Sequence, residues 1–426
     1  MNSSSSSVSL AGKRICVVTA GHLSTCPRML KAADTLQEAG YRVRVVSANY
    51  VPWAREADAY LRQSRSWAWS VFDYEKSRAS FNHFKTGLRY HLARKLARVL
   101  GPERTGLALA ARAYSRAHPE LFRLAVSEPA DFIYGGTGVG ISVAAAAARR
   151  LGVPFALDLE DYHSAEQDES AEARLAHSLV SNIERRTLRD AAFLTAGSEA
   201  IAAEYRRRYG VAVFPLNNVF PLPARAPDFS MSPAGELRFV WLSQTVGGGR
   251  GLEEAVEAIG LADIAARLTL RGTAAAGYLE SFREFAKRAA PRLQVEHFPP
   301  SPSADVVDLC RGNDIGLALE QAHVLNRALC LCNKPFTYLL AGLAVVFTDT
   351  PGQRPLAEDL GGGALFYKIG EARQLAAGLK AWADDPEALL KARRAAWDGA
   401  RRRWHWEHPA ERGALLAAVA KSISEK

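Results

Sequence analysis

Cysteine, methionine and long apolar runs are scarce in this sequence, and two of these scarcities exclude whole classes of protein. The 426 residues hold three methionines and five cysteines, Cys16, Cys26, Cys310, Cys330 and Cys332. The cysteine number is odd and no CxxC pair occurs, which argues against a disulfide framework and a finger-type zinc site and implies a reducing compartment. Cys330 and Cys332, only two apart, read as packing residues. The longest apolar stretch, around residues 336–347, falls short of the roughly 18 residues that a membrane-spanning helix requires. At the start, MNSSSSSVSLAGK is a polar serine tract without an apolar core, read as a disordered tail over residues 1–12. The expectation is a soluble, cytoplasmic protein.

What is present is ordinary globular composition, 48% apolar and 23% charged. The length suits two domains of about 200 residues each. The formal charge of +9 is unevenly placed: between residues 76 and 123 eleven lysines and arginines stand against two acids, Glu103 and Glu120.

The first half repeats a strand–helix–strand pattern. RICVVT (residues 14–19) reads as a buried strand, MLKAADTLQEAG as a helix closed by Gly40, and residues 42–47 as the next strand. DFIYGG, the alanine-rich stretch to Arg150 and FALDLED form a second such unit. SLVSNIERRTLRDA, AAFLTAGS and EAIAAEYRRRYG form a third. Alternation of this kind predicts an α/β fold with a parallel, doubly wound sheet. PLPARAPDFSMSPAG, rich in proline and small residues, reads as a linker, and the pattern restarts with LRFVWLS. The domain reading is a tail at 1–12, a first domain at 13–222, a linker at 223–235, a second domain at 236–405 and a closing segment at 406–426. Two α/β halves joined in this way imply a ligand-binding cleft between them.

Four constellations are candidates for chemistry. SQTVGGGRGLEE (residues 243–254) follows a strand and opens a helix, so its glycines let backbone approach an anion at a helix N-terminus, with Arg250 as a fixed cation. NKPFTYLLAGLAVVFTDTPGQ (residues 333–353) places Asn333 and Lys334 ahead of a helix, FTYLLAG, that Gly342 ends. Lys334 reads either as a diphosphate ligand or as a solvated surface lysine. DLEDYH (residues 158–163) crowds ionisable groups at a strand end; Asp158 and Glu160 read as catalytic groups, as a metal-binding acid pair, or as helix N-caps. GGTGVG (residues 135–140) approximates a dinucleotide fingerprint with Glu160 beyond it, but its third glycine comes one residue early, and it reads as a glycine-lined loop.

In this order the motifs resemble glycosyltransferase family 4, of the GT-B fold. GHLSTCPRMLKAADTLQEAGYRVRVV is similar to the family's first βα unit, and LGVPFALDLEDYHSAE to the acceptor side of its cleft. RFVWLSQTVGGGRGLEEAVEAI resembles the phosphate loop, and NDIGLALE with NRALCLCNKPFTYLLAGLAVV the donor helix. The resemblance implies two doubly wound Rossmann-like domains facing each other across a cleft, with the last helix crossing back to the first domain. It implies retaining transfer from a nucleoside diphosphate sugar, a co-substrate rather than a bound cofactor, with no metal. Arg250 and Lys334 would then hold the donor diphosphate, with Thr245, Gly249 and Asn333 beside them. Glu320 and Thr337 would meet the donor sugar and ribose. Glu160, flanked by Asp161 and His163, stands where the family has a histidine near the reacting carbon, and Gly21, Arg28, Gly136 and Gly138 would lie on cleft loops.

Besides Glu160 at the family's histidine position, the sequence departs from the family at three further places. Thr245 replaces the first basic residue of the phosphate loop, and Leu329 and Thr337 replace the two acids of a glutamate–seven–glutamate pattern. These changes fit either a subfamily or lost activity. The basic stretch 76–123, in a region that also holds Trp67, Trp69, Phe72, Tyr74, Phe81, Phe84 and Tyr90, reads either as an amphipathic surface for anionic membrane or as a solvated helix packed on the domain. No nucleic-acid motif accompanies the charge. The expected partners are a nucleotide sugar and a saccharide or lipid-linked acceptor, in cell-surface polysaccharide synthesis at the inner membrane face. The rival readings are a nicotinamide-dependent oxidoreductase built on GGTGVG, and a non-catalytic scaffold derived from a glycosyltransferase.

Overall fold

Short runs of valine, isoleucine, leucine and phenylalanine that do not alternate with polar residues become central parallel strands, covered on both faces by helices. The computed structural model describes residues 12–168, 170–230, 236–301 and 305–425. The serine tract at 1–11 and the part of the linker at 231–235 lie outside the described residues. Two units divide the chain: Met1–Asn217 with Pro409–Lys426, and Asn218–His408.

The first unit contains β1 (Arg14–Val18), β2 (Arg42–Asn49), β3 (Ala68–Asp73), β4 (Phe132–Gly136), β5 (Phe155–Leu159), β6 (Phe193–Ala196) and β7 (Phe214–Pro215). They form one parallel sheet in the order β3-β2-β1-β4-β5-β6-β7. Its central strands β4 and β5 are buried at every position. The second unit contains β8 (Glu236–Val246), β9 (Ala265–Ala274), β10 (Leu293–Phe298), β11 (Ile315–Ala318), β12 (Ala344–Thr348) and β13 (Ala364–Tyr367), in the order β10-β9-β8-β11-β12-β13. Phe239, Trp241, Leu268, Leu270, Leu317 and Val346 contribute to its core. In each sheet the strand order reverses beside the first strand of the unit, between β1 and β4 and between β8 and β11. The doubly wound α/β reading is correct for both halves. Such switch points leave a crevice at the carboxyl ends of the strands, where ligands of open α/β sheets bind.

The boundary falls after Asn217, ahead of the linker read at 223–235, and Arg393 supplies the reason. Its buried guanidinium donates to the carbonyls of Asp228 (2.8 Å), Ser230 (3.0 Å) and Gly342 (3.1 Å). Arg311 holds the Ala226 carbonyl at 2.8 Å. Residues 226–230 are therefore strapped to the second unit. The basic stretch 76–123 becomes three helices, Ser80–Leu100, Leu107–Tyr114 and His118–Val126. Trp67 and Trp69, read with it as surface aromatics, are buried, and the Trp69 indole donates to Ser47 Oγ at 2.7 Å.

The chain rejoins the first unit at Pro409. Glu411, fully buried, accepts from the Asn217 backbone N–H at 2.7 Å and from Asn217 Nδ2 at 2.8 Å. The closing helix Ala414–Ser424 then packs on the helix Pro27–Glu38. Glu411→Ala leaves the buried Asn217 donors without that acceptor, a cost of about 1–3 kcal/mol. The expected outcome is a lower denaturant midpoint with faster amide exchange in Ala414–Ser424; unchanged exchange there would show that Glu411 does not anchor the segment.

Candidate functional site

In the second unit, a register shift between Leu242 and Thr245 precedes the end of β8 and leaves Thr245 exposed opposite Thr273. Gly249 (φ +70°) and Gly251 (φ +76°) then turn the chain into the helix Leu252–Leu261. A Cβ at Gly251 would lie 2.8 Å from Leu319 Cβ and 3.0 Å from the Leu319 carbonyl. Only glycine allows the loop this close to the end of β11. No side chain caps the helix. Its first-turn acids are engaged elsewhere, Glu253 by Tyr278 (2.7 Å) and Glu254 by Tyr367 (3.1 Å) and the Gly370 N–H (2.5 Å). Arg250 is half-buried, and among the described residues no carboxylate pairs with it.

Asn333 and Lys334 are the first two residues of the helix Asn333–Leu340 rather than a lead into it. Pro335 fits the same turn because its missing N–H has no intrahelical acceptor to lose. Lys334 is 7% exposed, which overturns the solvated-lysine reading. Its ammonium forms an ion pair with Glu320 and lies 5.5 Å from the centre of the Trp241 ring. Glu320, also buried, meets Arg327 at 3.5 Å and accepts from Cys332 Sγ at 3.1 Å. Burial alone would raise the Glu320 carboxyl, yet the Lys334 charge and hydrogen bond, with Cys332 and Arg327, hold it at about 2. Burial opposes the Lys334 charge as well, but Cys332 and Glu320 raise its pKa above the ordinary lysine value. Arg250 pushes the other way, so the two cations lie within electrostatic reach. The Asn333 carbonyl accepts the Thr337 hydroxyl at 3.3 Å, and Thr337 is fully buried. Thr337 is thus closed off inside its own helix, whereas Arg250, Lys334 and Glu320 gather at the β8–β11 switch point.

In the first unit, Gly21, Gly136 and Glu160 lie at the carboxyl edge of β1, β4 and β5. A Cβ at Gly21 would meet the Tyr50 ring at 3.1 Å. The loop read at GGTGVG does not exist, because β4 runs straight into the helix Thr137–Leu151. A Cβ at Gly136 would stand 2.2 Å from Met29 Sδ, and one at Gly138 2.3 Å from the Tyr114 hydroxyl. The chain's own side chains fill the space a dinucleotide would need, which removes the fingerprint reading. Arg28 is no open loop residue either. Its buried guanidinium donates through Nε to Asp158 at 2.8 Å, pairs through a second nitrogen with the same carboxylate, and reaches the Leu216 carbonyl. Asp158 also accepts from Thr195 at 2.6 Å. Asp158 is therefore neither an N-cap nor half of a free metal-binding pair, and the next long helix, Ala171–Thr187, is capped by Ser170 instead.

Glu160 is half-buried with Cys26 Sγ 3.9 Å away, and Gly197, lacking a Cβ, lets the Glu160 carbonyl pass close. Burial, then the Asp161 charge, push its carboxyl up to about 7 against the opposing pull of Arg28. His163 is buried, with Nδ1 3.1 Å from Glu166. Burial disfavours its charge, but the Glu166 bond and the charges of Glu166, Asp161 and Glu184 raise it to about 9. Its Nε2 has no hydrogen-bond partner among the described residues. Sequence reasoning missed Trp241 and Arg327 as partners of the Lys334–Glu320 pair. Only Arg327, seven residues past Glu320, left a signal, a basic residue between an acid and NK.

Residues 27–223 match the model of the glycosyl transferase 4-like domain. The first unit carries that domain, and the family resemblance drawn from the motifs holds over it. Among solved structures, the chain is similar to HepE (Alr3699) of Anabaena, determined with UDP and glucose, at 16% identity over 97% of this chain and 100% of that one, TM-score 0.62. It is similar to sucrose-phosphate synthase of Thermosynechococcus elongatus at 12% identity over 97% and 99% of the two chains, TM-score 0.66. It is also similar to a glycosyltransferase of Rickettsia africae at 10% identity over 97% and 99%, TM-score 0.57. At these identities the likeness is one of fold, and the fold is that of GT-B glycosyltransferases. Among curated proteins none matches the sequence.

Removing one partner of a buried ion pair costs about 3–5 kcal/mol, whereas replacing both by apolar residues is near neutral. Lys334→Met should lower the unfolding free energy on that scale, and adding Glu320→Met should restore most of it. Glu320 has a folded pKa below its unfolded value, so its contribution is complete above about pH 4.5 and lost as pH falls through about 2. Equal stability of Lys334→Met and wild type at neutral pH would rule out the pairing.

Proposed function

We propose that this chain transfers a sugar from a nucleoside diphosphate sugar to a saccharide or lipid-linked glycan acceptor, with retention of configuration, in cell-surface polysaccharide synthesis. One observation carries the reading: an uncapped helix with Arg250, which no carboxylate pairs with among the described residues, on a glycine loop beside the buried Lys334. Backbone N–H groups and Arg250 present positive charge to a diphosphate, and Lys334 adds a second cation fixed by Glu320. As the donor bond breaks, negative charge accumulates on the departing nucleoside diphosphate, and fixed cations stabilise it without reorganisation. In this reading Arg250 and Lys334, rather than a metal, supply that charge. The fold likeness to a protein determined with UDP and glucose supports a uridine nucleotide as donor.

The first unit supplies the acceptor side. Glu160, with a carboxyl near neutral, exchanges a proton readily at physiological pH, and the Nε2–H of a protonated His163 is a donor without a partner among the described residues. We place the reaction in the cytoplasm, at the inner face of a membrane where a lipid-linked acceptor lies. A second reading, a scaffold that has lost catalysis, draws support from Thr337, which stands where the family has an acid and is sealed in its helix. Nucleotide binding separates the two.

Titration calorimetry with uridine, guanosine, thymidine and adenosine diphosphates should give saturable binding of UDP. Arg250→Ala should weaken it by on the order of 10- to 100-fold, the equivalent of one charge-assisted hydrogen bond. Unchanged affinity sinks the phosphate assignment, and absence of binding by all four nucleotides favours the scaffold. With a productive sugar donor, kcat/KM should rise through about pH 7 as Glu160 ionises, and Glu160→Gln should abolish that limb. The same raised pKa makes the folded state bind the proton more tightly than the unfolded chain, so stability should fall as pH rises from about 4.5 to 7.

A further inference from the structure

The helix Ser80–Leu100 is amphipathic in the reverse of the usual sense. The residues it buries are Thr86, Ala93, Arg94 and Ala97, small or polar. Its large apolar side chains face outward: Phe81, Phe84, Leu88, Leu92, Leu96 and Val99 are 73%, 69%, 53%, 59%, 48% and 76% exposed. Steps of three or four residues return them to one stripe along the helix. At 1.5 Å per residue the helix is about 30 Å long. Soluble domains rarely leave a continuous apolar strip of that extent in water unless something covers it.

Charge identifies the occupant. The helix holds Lys85, Arg89, Arg94, Lys95 and Arg98 and no acidic residue. Arg89 is paired with Glu120, and Arg94 and Arg98 with Glu172. Lys85 and Lys95 are exposed, have no ion pair among the described residues, and fall by helical rotation within the apolar stripe. A second copy of the chain is a poor fit, because stacking two such stripes would set lysine against lysine with no acid in either helix to answer. An anionic bilayer satisfies both features, accepting apolar side chains at the headgroup boundary and offering negative charge beside them. No described helix is long and apolar enough to cross a membrane, so the contact is in-plane. We propose that Ser80–Leu100 is a membrane-docking helix that lies in the plane of an anionic lipid surface, with Lys85 and Lys95 against lipid headgroups. The inference stands on this helix alone and does not depend on the catalytic reading.

The test is co-sedimentation of the full chain with vesicles of phosphatidylcholine containing one-third phosphatidylglycerol, against pure phosphatidylcholine, at low and high salt. Wild type should bind the anionic vesicles at least tenfold better, and salt should weaken the binding by screening. Leu88→Asp with Leu92→Asp should abolish it. Lys85→Glu with Lys95→Glu should weaken it by on the order of tenfold or more, each cation contributing about fivefold at such a surface. All four side chains are exposed, so the melting temperature should stay at the wild-type value and exclude misfolding. Failure of wild type to sediment, or vesicle binding of the double aspartate variant equal to wild type, overturns the proposal. So does a lipid-free dimer in sedimentation velocity that the double aspartate variant dissociates.

Discussion

A lysine buried against an indole keeps its charge only while a carboxylate stands beside it, and the cluster around Lys334 in the second unit is organised by that constraint. Lys334 is the second residue of its helix, where the N–H groups and the macrodipole already present positive charge. A cation there is disfavoured twice, by burial and by the dipole. Glu320, two residues past the end of β11, answers both, and Arg327 and Cys332 complete its coordination. The pair therefore ties the carboxyl end of a central strand to the start of the helix Asn333–Leu340. The glycine loop is held to the same place by a different force, the absence of a Cβ at Gly251, which lets it lie against Leu319. Electrostatics fixes Lys334 and close packing fixes the glycine loop. Neither force engages Arg250, which pairs with no carboxylate among the described residues.

The first unit repeats the device with another outcome. Arg28 is also the second residue of a helix, and its partner Asp158 is also at the carboxyl edge of the sheet. Here the planar guanidinium engages both carboxylate oxygens and a carbonyl, so each of its three nitrogens already has a partner within the chain. Arg28 becomes a strut, and the titratable chemistry moves two residues along the strand end, to Glu160. The contrast follows from side-chain type. A lysine makes a point contact and leaves room for a neighbour, whereas an arginine in a bidentate pair closes its site.

The strands, the helices between them and the doubly wound topology were legible because burial on both faces imposes continuous apolar runs, as in FIYGG, FALDL and AVVFT. The positions of Arg250 and Lys334 were legible for a related reason: a glycine loop and an NK pair both open helices that the pattern marks. What the sequence could not reveal is which polar groups are already taken. Nothing near Arg28 announces Asp158, 130 residues away, as its partner. Nothing at Gly136 and Gly138 shows that Met29 and Tyr114 occupy the space above them. A glycine that admits a ligand and one that admits a neighbouring side chain are identical in sequence, and only the fold decides between them.

The same limit explains the helix Ser80–Leu100. A period of 3.6 in apolar residues shows that a helix has a greasy side, but not which way that side faces, because the pattern is unchanged by rotation about the axis. The neighbours decide. Thr86, Ala93 and Ala97 are small enough to sit against the body of the unit, and Arg94 finds Glu172 across the gap, so the helix settles on its narrow polar face. Turning it to bury the leucines would bury Lys85 and Lys95 with them, and no acid lies in the helix to neutralise either. Two buried lysine charges would offset much of what the stripe gains by burial. The lysines interleaved with the leucines therefore oppose turning the stripe inward.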